Sequence, residues 1–292
     1  MFKNFEAELG RVNFDVEPMK FKHKLIGHPT LSLENLAKVL PELPSHQVMY
    51  SKALNDLGIN FDRAHIDHKN GMCLAETIES IKVNPSYIAV KNPENHASFK
   101  ELFHDMEDDL TKLIRMKKKG TKAKDAMFWL FIASPDAQTP FHFDRYSNFL
   151  MQFRGSKEIA VFPPLDQRVI SAEDYEAYID QTEKRPAWRP EIDHLAQKFH
   201  FDVGEALHIP FSSGHYVKNG SEDVSISLSV FFHTDETIKL SNAMRMNHRL
   251  RRRMNKIGLT PSLVSKNSRS TAMKSRILPM ANLAGGMMSR FR

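Results

Sequence analysis

Between Met127 and Phe232 the chain runs as short β-type segments, Met127–Ala133, Phe149–Arg154, Glu158–Phe162, Glu205–Ile209 and Val224–Phe232, punctuated by Pro, Gly and Asp. Strands this short are not stable singly, so a series of them with turn signals between predicts a sandwich or barrel. Val224-Ser-Ile-Ser-Leu-Ser-Val230 adds a second constraint, because it alternates strictly between apolar and hydroxyl side chains. Successive strand residues face opposite sides, so one face of this segment should pack on a core while the other lines a polar cavity. The expected fold is mainly β with α, a barrel with a usable interior.

The flanks read differently. Residues 31–43 place Leu31, Leu33, Leu36, Val39, Leu40 and Leu43 at helical spacing ahead of Pro44, and 74–83 and 97–118 also read as helices. The expected organisation is a helical N-terminal layer over 1–122 with one extended piece, Tyr87–Val90. A β core follows over 123–236, interrupted by an insertion at 166–200 with a helix near 172–180. A basic extension closes the chain over 237–292, with a helix at 237–257 and a poorly ordered Ser/Lys/Arg-rich stretch at 260–276. Cys73 is the sole cysteine, which excludes an intrachain disulfide and a thiolate metal site. The N-terminal twenty residues carry acids where a secretory signal needs an apolar run, and no window is long and apolar enough to span a membrane. A cytoplasmic protein is expected.

The formal net charge of +6 divides unevenly along the chain. Residues 237–292 hold 13 of the 41 Lys+Arg and no acid, so residues 1–236 carry 28 bases against 35 acids, a net of −7. The tail helix combines Met and Arg, which suits a homodimer interface, attachment to an anionic membrane, or nucleic-acid contact, in that order of preference. Its charge is expected to concern location and pairing, not what enters a site in the body.

Within the β region stands Thr139-Pro-Phe-His142-Phe-Asp144, and 71 residues after Asp144 comes His215 in Ile-Pro-Phe-Ser-Ser-Gly-His. His142 and Asp144, two apart on a strand, can face one side, and His215 would complete a set of two imidazoles and one carboxylate. Such a set suits Fe(II) and leaves coordination positions open. An HxD triplet alone is weak in a chain with 14 His, but Thr139, Asn148 and Lys157 accompany it three before, six after and fifteen after His142. Taken singly, Thr139 reads equally as a bridging hydroxyl, Asn148 as a turn cap, Lys157 as a solvated turn residue and Tyr87 as core. His65 and His68 flank Asp67 without a third ligand and read as a surface loop. His208 alternates away from the core and reads as a wall residue.

TPFHFDRYSNFLMQFRGSKEIAVFPP, followed by GEALHIPFSSGHYV and the alternating strand, resembles the jumonji-C and cupin-like Fe(II)/2-oxoglutarate oxygenases. The likeness is nearest to the branch that holds the asparaginyl hydroxylase inhibiting hypoxia-inducible factor, and to bacterial cupin-like relatives. It implies a double-stranded β-helix (jelly-roll) core over about 127–233. It also implies Fe(II) on His142, Asp144 and His215, with Lys157 and Thr139 on the distal carboxylate of 2-oxoglutarate. Asn148 would help hold that co-substrate, Tyr87 would add a contact, and Ser227 or Ser229 would stand where the family often has Asn. Phe141, Phe143, Trp129 and Phe231 would form a dry shell. The implied activity is O2-dependent hydroxylation of a C–H bond, coupled to decarboxylation of 2-oxoglutarate to succinate. A peptide or protein side chain is the favoured substrate, with a small metabolite or a saccharide- or lipid-linked acceptor as alternatives. A non-catalytic cupin-like binding or regulatory protein is the competing class.

Overall fold

A computed structural model describes residues 1–181 and 185–278. In chain order its strands are β1 Met19–Lys22, β2 Val48–Lys52, β3 Ser86–Lys91, β4 Lys124–Ala133, β5 Gln138–Phe143, β6 Ser147–Arg154, β7 Lys157–Val161, β8 Gln197–Phe201, β9 Glu205–Ile209, β10 Gly214–Asn219 and β11 Ser225–His233. The helices are α1 Leu33–Glu42, α2 Ala64–Asp67, α3 Leu74–Ser80, α4 Ala97–Met116, α5 Ala172–Ile179 and α6 Asp235–Met254.

Two antiparallel sheets form, ordered β1-β9-β6-β11-β4-β3-β2 and β5-β10-β7-β8. Strands β4 to β11 divide four and four between the sheets, switching sheet at every step except β7 to β8, which pair within the smaller sheet, and this is the double-stranded β-helix. The alternating segment becomes β11, paired with β4 on one side and β6 on the other. Its Ile226, Leu228, Val230 and Phe232 face outward into a core with Phe128, Leu130, Phe149 and Met151. Its Ser227, Ser229 and Phe231 face the barrel interior.

The outward face is covered by α4, where Phe99, Leu102, Met106, Leu110, Leu113 and Ile114 all lie in that same core with no exposure. These positions recur at three- and four-residue spacing, the stripe a helix needs to seal a sheet. Toward its closed end the interior is filled by Leu150, Ile159, Val161, Phe201, Leu207, Ile209 and Val217. The outer face of the smaller sheet packs under 165–179, 188–196 and α6 through Phe141, Phe143, Phe162, Tyr175, Tyr178, Leu240 and Met244.

Four expectations change. The N-terminal region is not only helical, since β1 pairs with β9 and β3 with β4, while β2 extends the sheet beyond β3. MKFK and VMYSK are too short to announce themselves by period alone. The segment expected as an insertion through residue 200 contains β8, which pairs with β7. The stretch 260–276 is not wholly irregular, because 269–278 is helical with Thr271, Lys274 and Leu278 buried. Part of the tail's apolar stripe is spent within this chain, where α6 packs on α5 and Asn247 and Arg251 bond the buried Glu176. No helix among the described residues is long and apolar enough to cross a membrane.

The β6–β7 turn depends on Gly155, whose φ is +65° and whose missing Cβ would stand 2.8 Å from the Val224 carbonyl oxygen. Gly155→Ala should therefore lower unfolding free energy by about 1–3 kcal/mol, the cost of holding a side chain in the left-handed region. Denaturant unfolding checks this; an unchanged midpoint would show that the turn relaxes freely.

Candidate metal centre and its cavity

The pairing of β5 with β10 sets His142 directly opposite His215, with ring centroids 4.2 Å apart. The register then slips, with Val217 opposite Thr139, so β5 spends three residues where β10 spends two. That bulge falls at Pro140-Phe141, where proline has no amide hydrogen to give to the ladder. It turns Thr139 and His142, an odd distance apart, toward the same cavity. Asp144 follows two residues after His142, just past the strand end.

The His142, Asp144 and His215 ligand atoms all lie within 4.8 Å of one another. His142 Nδ1 is 2.7 Å from the Pro140 carbonyl oxygen and His215 Nδ1 is 3.0 Å from that of Ser213. Each Nδ1–H is thereby spent on backbone, so each Nε2 presents a lone pair. His215 Nε2 lies 3.6 Å from Asp144 Oδ2. Burial, then the neighbouring His215 and Arg185, hold His142 well below its usual pKa. Burial raises the Asp144 carboxyl, against the pull of His215 and Arg185. Two imidazoles and a carboxylate buried together fit a divalent transition metal, whose charge would keep Asp144 ionised.

The cavity has a volume of about 480 Å³ and reaches from this cluster to β7. Lys157, the first residue of β7, is 3% exposed and donates from Nζ to Asn219 Oδ1 at 2.9 Å. Burial alone pushes its pKa down to about 7. The other sequence-predicted residues meet at the same cavity. Tyr87 Oη and Thr139 Oγ1 are 3.1 Å apart, and burial raises the tyrosine pKa, keeping the phenol protonated. Asn148 Oδ1 and Ser227 Oγ are buried with no hydrogen-bond partner among the described residues, and Ser229 lies beside them on the wall.

The dry shell is half as expected. Trp129 and Phe231 line the cavity, but Phe141 and Phe143 belong to the cluster under the smaller sheet. Strand alternation requires this, since both are neighbours of His142 and point away from it. His65 is on α2 and lines the cavity mouth, so the His65–His68 stretch is not a detached surface loop, and Asp67 is taken by Arg63. His208 has no exposure and packs between Phe14 and Phe149 on the far side of the larger sheet, away from the cavity.

Sequence reading missed several participants. Asn219 was legible in principle, because His215, Val217 and Asn219 share one face of β10. Asp15, from the N-terminal layer, had no local signal. Its Oδ1 accepts from Ser147 Oγ and from the Phe211 amide, both at 2.7 Å, tying down the turn that carries Ser213 and then His215. Arg145, Arg185 and Arg245 also line the cavity.

The profile of the Cupin-like domain family matches residues 28–238, most of the chain and all eight barrel strands. The chain belongs to the cupin-like domain family. No curated protein sequence matches it. Among solved structures it is similar to an X-ray structure of E. coli ycfD, with 14% identity and a TM-score of 0.48, covering 97% of this chain and 69% of that one. A crystal structure of the Escherichia coli ribosomal oxygenase YcfD gives 15% identity and a TM-score of 0.46, covering 97% and 68%. The same oxygenase in complex with cobalt and 2-oxoglutarate gives 13% and 0.44, again covering 97% and 68%. In this cupin-like chain the capacity to hold a metal lies in its own donor set, His142, Asp144 and His215.

The wild-type protein should bind a single equivalent of Co(II), followed by visible absorption. Asp144→Ala and His215→Ala should each weaken binding by more than the roughly 10–100-fold that loss of an outer hydrogen-bond partner costs. Equal affinity in both variants, with circular dichroism unchanged, would place the metal elsewhere.

Proposed function

We propose that the protein is an Fe(II)- and 2-oxoglutarate-dependent oxygenase that hydroxylates a C–H bond. One observation carries this: the Lys157 amine sits buried in the same cavity as the His–Asp–His cluster, with the Asn219 amide oxygen as its only partner among the described residues. A buried charge without a counter-charge is costly, so the cavity is incomplete until an anion meets Lys157. A ligand that must meet both a metal and a cation across one small cavity is a dicarboxylate with a chelating end. The TPFHFD…GHYV stretch independently resembles oxygenases that use 2-oxoglutarate.

In this reading His142 and His215 through Nε2, and Asp144 through its carboxylate, hold Fe(II). Lys157 and Thr139 hold the distal carboxylate, with Tyr87 donating to or accepting from Thr139 and so orienting its hydroxyl. Asn148 and Ser229 present polar groups along the chain of the co-substrate. When bound, iron and 2-oxoglutarate supply the oxidising power, reducing O2 while the co-substrate loses CO2. The protein's own share is placement and dryness. Asn219 fixes the Lys157 ammonium, the two backbone carbonyls fix the imidazole tautomers, and Trp129 and Phe231 keep water from the reacting carbon.

Protonation of Lys157 gives a direct test. With its pKa lowered by burial to about 7, Lys157 is largely neutral at pH 8 and must take up a proton when a carboxylate docks. Affinity for 2-oxoglutarate should therefore fall as pH rises above about 7, and calorimetry in buffers of different ionisation enthalpy at pH 8 should show uptake approaching one proton per site. Lys157→Met should cost about 2–5 kcal/mol of binding, the usual loss when one partner of a buried charge pair is removed. Binding without proton uptake, or unaffected by the substitution, would remove Lys157 from the site and the proposal with it. Succinate release dependent on Fe(II) and O2 separates an enzyme from a binding protein that retains the barrel.

A further inference from the structure

The mouth of the cavity carries cations that the 2-oxoglutarate reading does not use. Tyr178 and Ile179, the last two residues of α5, present their carbonyls at the helix end, where that of Tyr178 also accepts from the Gln181 amide at 3.0 Å. Arg145 donates from Nε to the Tyr178 carbonyl at 2.8 Å, and its guanidinium lies over the Tyr178 ring, 4.0 Å from the centroid. Arg245, from α6, donates from Nε to the Ile179 carbonyl at 3.3 Å. In both, Nε is anchored while the outer nitrogens make no hydrogen bond among the described residues, and both side chains line the cavity. Neither has a carboxylate partner among the described residues.

A third arginine adds a sharper observation. Arg185 bonds Asp62 through Nε and Nη2, but its Nη1 is buried with no partner among the described residues, and it too lines the cavity. A buried guanidinium nitrogen without an acceptor is expensive and marks a place for one. The same cavity is lined by the aromatic rings of Trp129, Phe231, Tyr146 and Phe61, the last 5.9 Å from the His142 ring.

We infer that the substrate of this site is an organic anion, a carboxylate or phosphate ester on a compact apolar body. Its charged group is held by the outer nitrogens of Arg145 and Arg245 and by Arg185 Nη1. Guanidinium forks pre-anchored at Nε match the planar oxygens of such groups and lose little freedom on binding them. The aromatic wall takes the body and leaves its far carbon toward His142, Asp144 and His215. The inference rests on the oxygenase reading and names the substrate class for that site.

The test uses wild-type protein loaded with Co(II) and 2-oxoglutarate, so that Lys157 and the metal are already engaged. Phenyl phosphate, benzoate and benzylammonium share one body and differ in charge, and calorimetry gives their affinities. Both anions should bind at least about tenfold more tightly than the cation, and Arg145→Gln and Arg245→Gln should each erase roughly tenfold of that preference, as expected for a charge-assisted bond lost. Phenyl phosphate ahead of benzoate assigns a phosphate ester, the reverse an organic acid. A merely structural capping role for these arginines would lower thermal stability and leave the charge preference intact, which overturns the inference. Should Arg145→Gln fail to fold, Arg245→Gln, on a separate element, carries the same comparison. Failure of the wild type to take up 2-oxoglutarate strikes the oxygenase reading instead, and the anion series on Co(II)-loaded protein then decides the arginines alone.

Discussion

The antiparallel pairing of β5 with β10, with one extra residue in β5, is the constraint on which the site depends. In register it opposes His142 to His215, and past the bulge it opposes Thr139 to Val217. The same strand β10 pairs on its other edge with β7, setting Asn219 opposite Lys157. One strand thus fixes the distance between a metal-ligating end and a cationic end of a cavity, through backbone hydrogen bonds that side-chain motion cannot change. That spacing places a cluster of metal-ligand type and the buried Lys157, bonded to Asn219, on one cavity.

Burial at both ends shifts protonation in directions that favour ligand binding. His142 stays neutral and its lone pair available, while the Asp144 carboxyl and the Lys157 ammonium are each disfavoured as charges until a partner arrives. Groups with protonation shifted by burial, gathered on one cavity, are the pattern expected of a ligand-binding site.

His142 and Asp144 were legible as a pair because strands impose a period of two, with His215 as the second imidazole to complete the set, whereas the role of Lys157 came only from the family resemblance. The same period, applied to Phe141 and Phe143, places them outside the cavity, where the structure has them. Thr139 is the opposite case, since simple alternation points it away from His142 and only the bulge at Pro140-Phe141 brings it back. Short strands such as β1 and β8 carried too little pattern to be told from loops, and Asp15 acts across 196 residues on Phe211, a contact no local signal encodes. The charge division of the chain was visible, but its consequence was not. Arg245 comes from the basic extension and stands in the cavity wall because α6 folds back onto α5, so part of the tail's charge belongs to the site and not to location alone.

Anaerobic titration of the apo protein with Fe(II) and 2-oxoglutarate together tests the central claim most directly, because it asks whether metal and dicarboxylate share one site without requiring a substrate. The account predicts a weak visible charge-transfer band that saturates with one 2-oxoglutarate per iron and disappears in His142→Ala. A wild-type protein that is folded and binds Fe(II), yet shows no band at saturating 2-oxoglutarate, would contradict it.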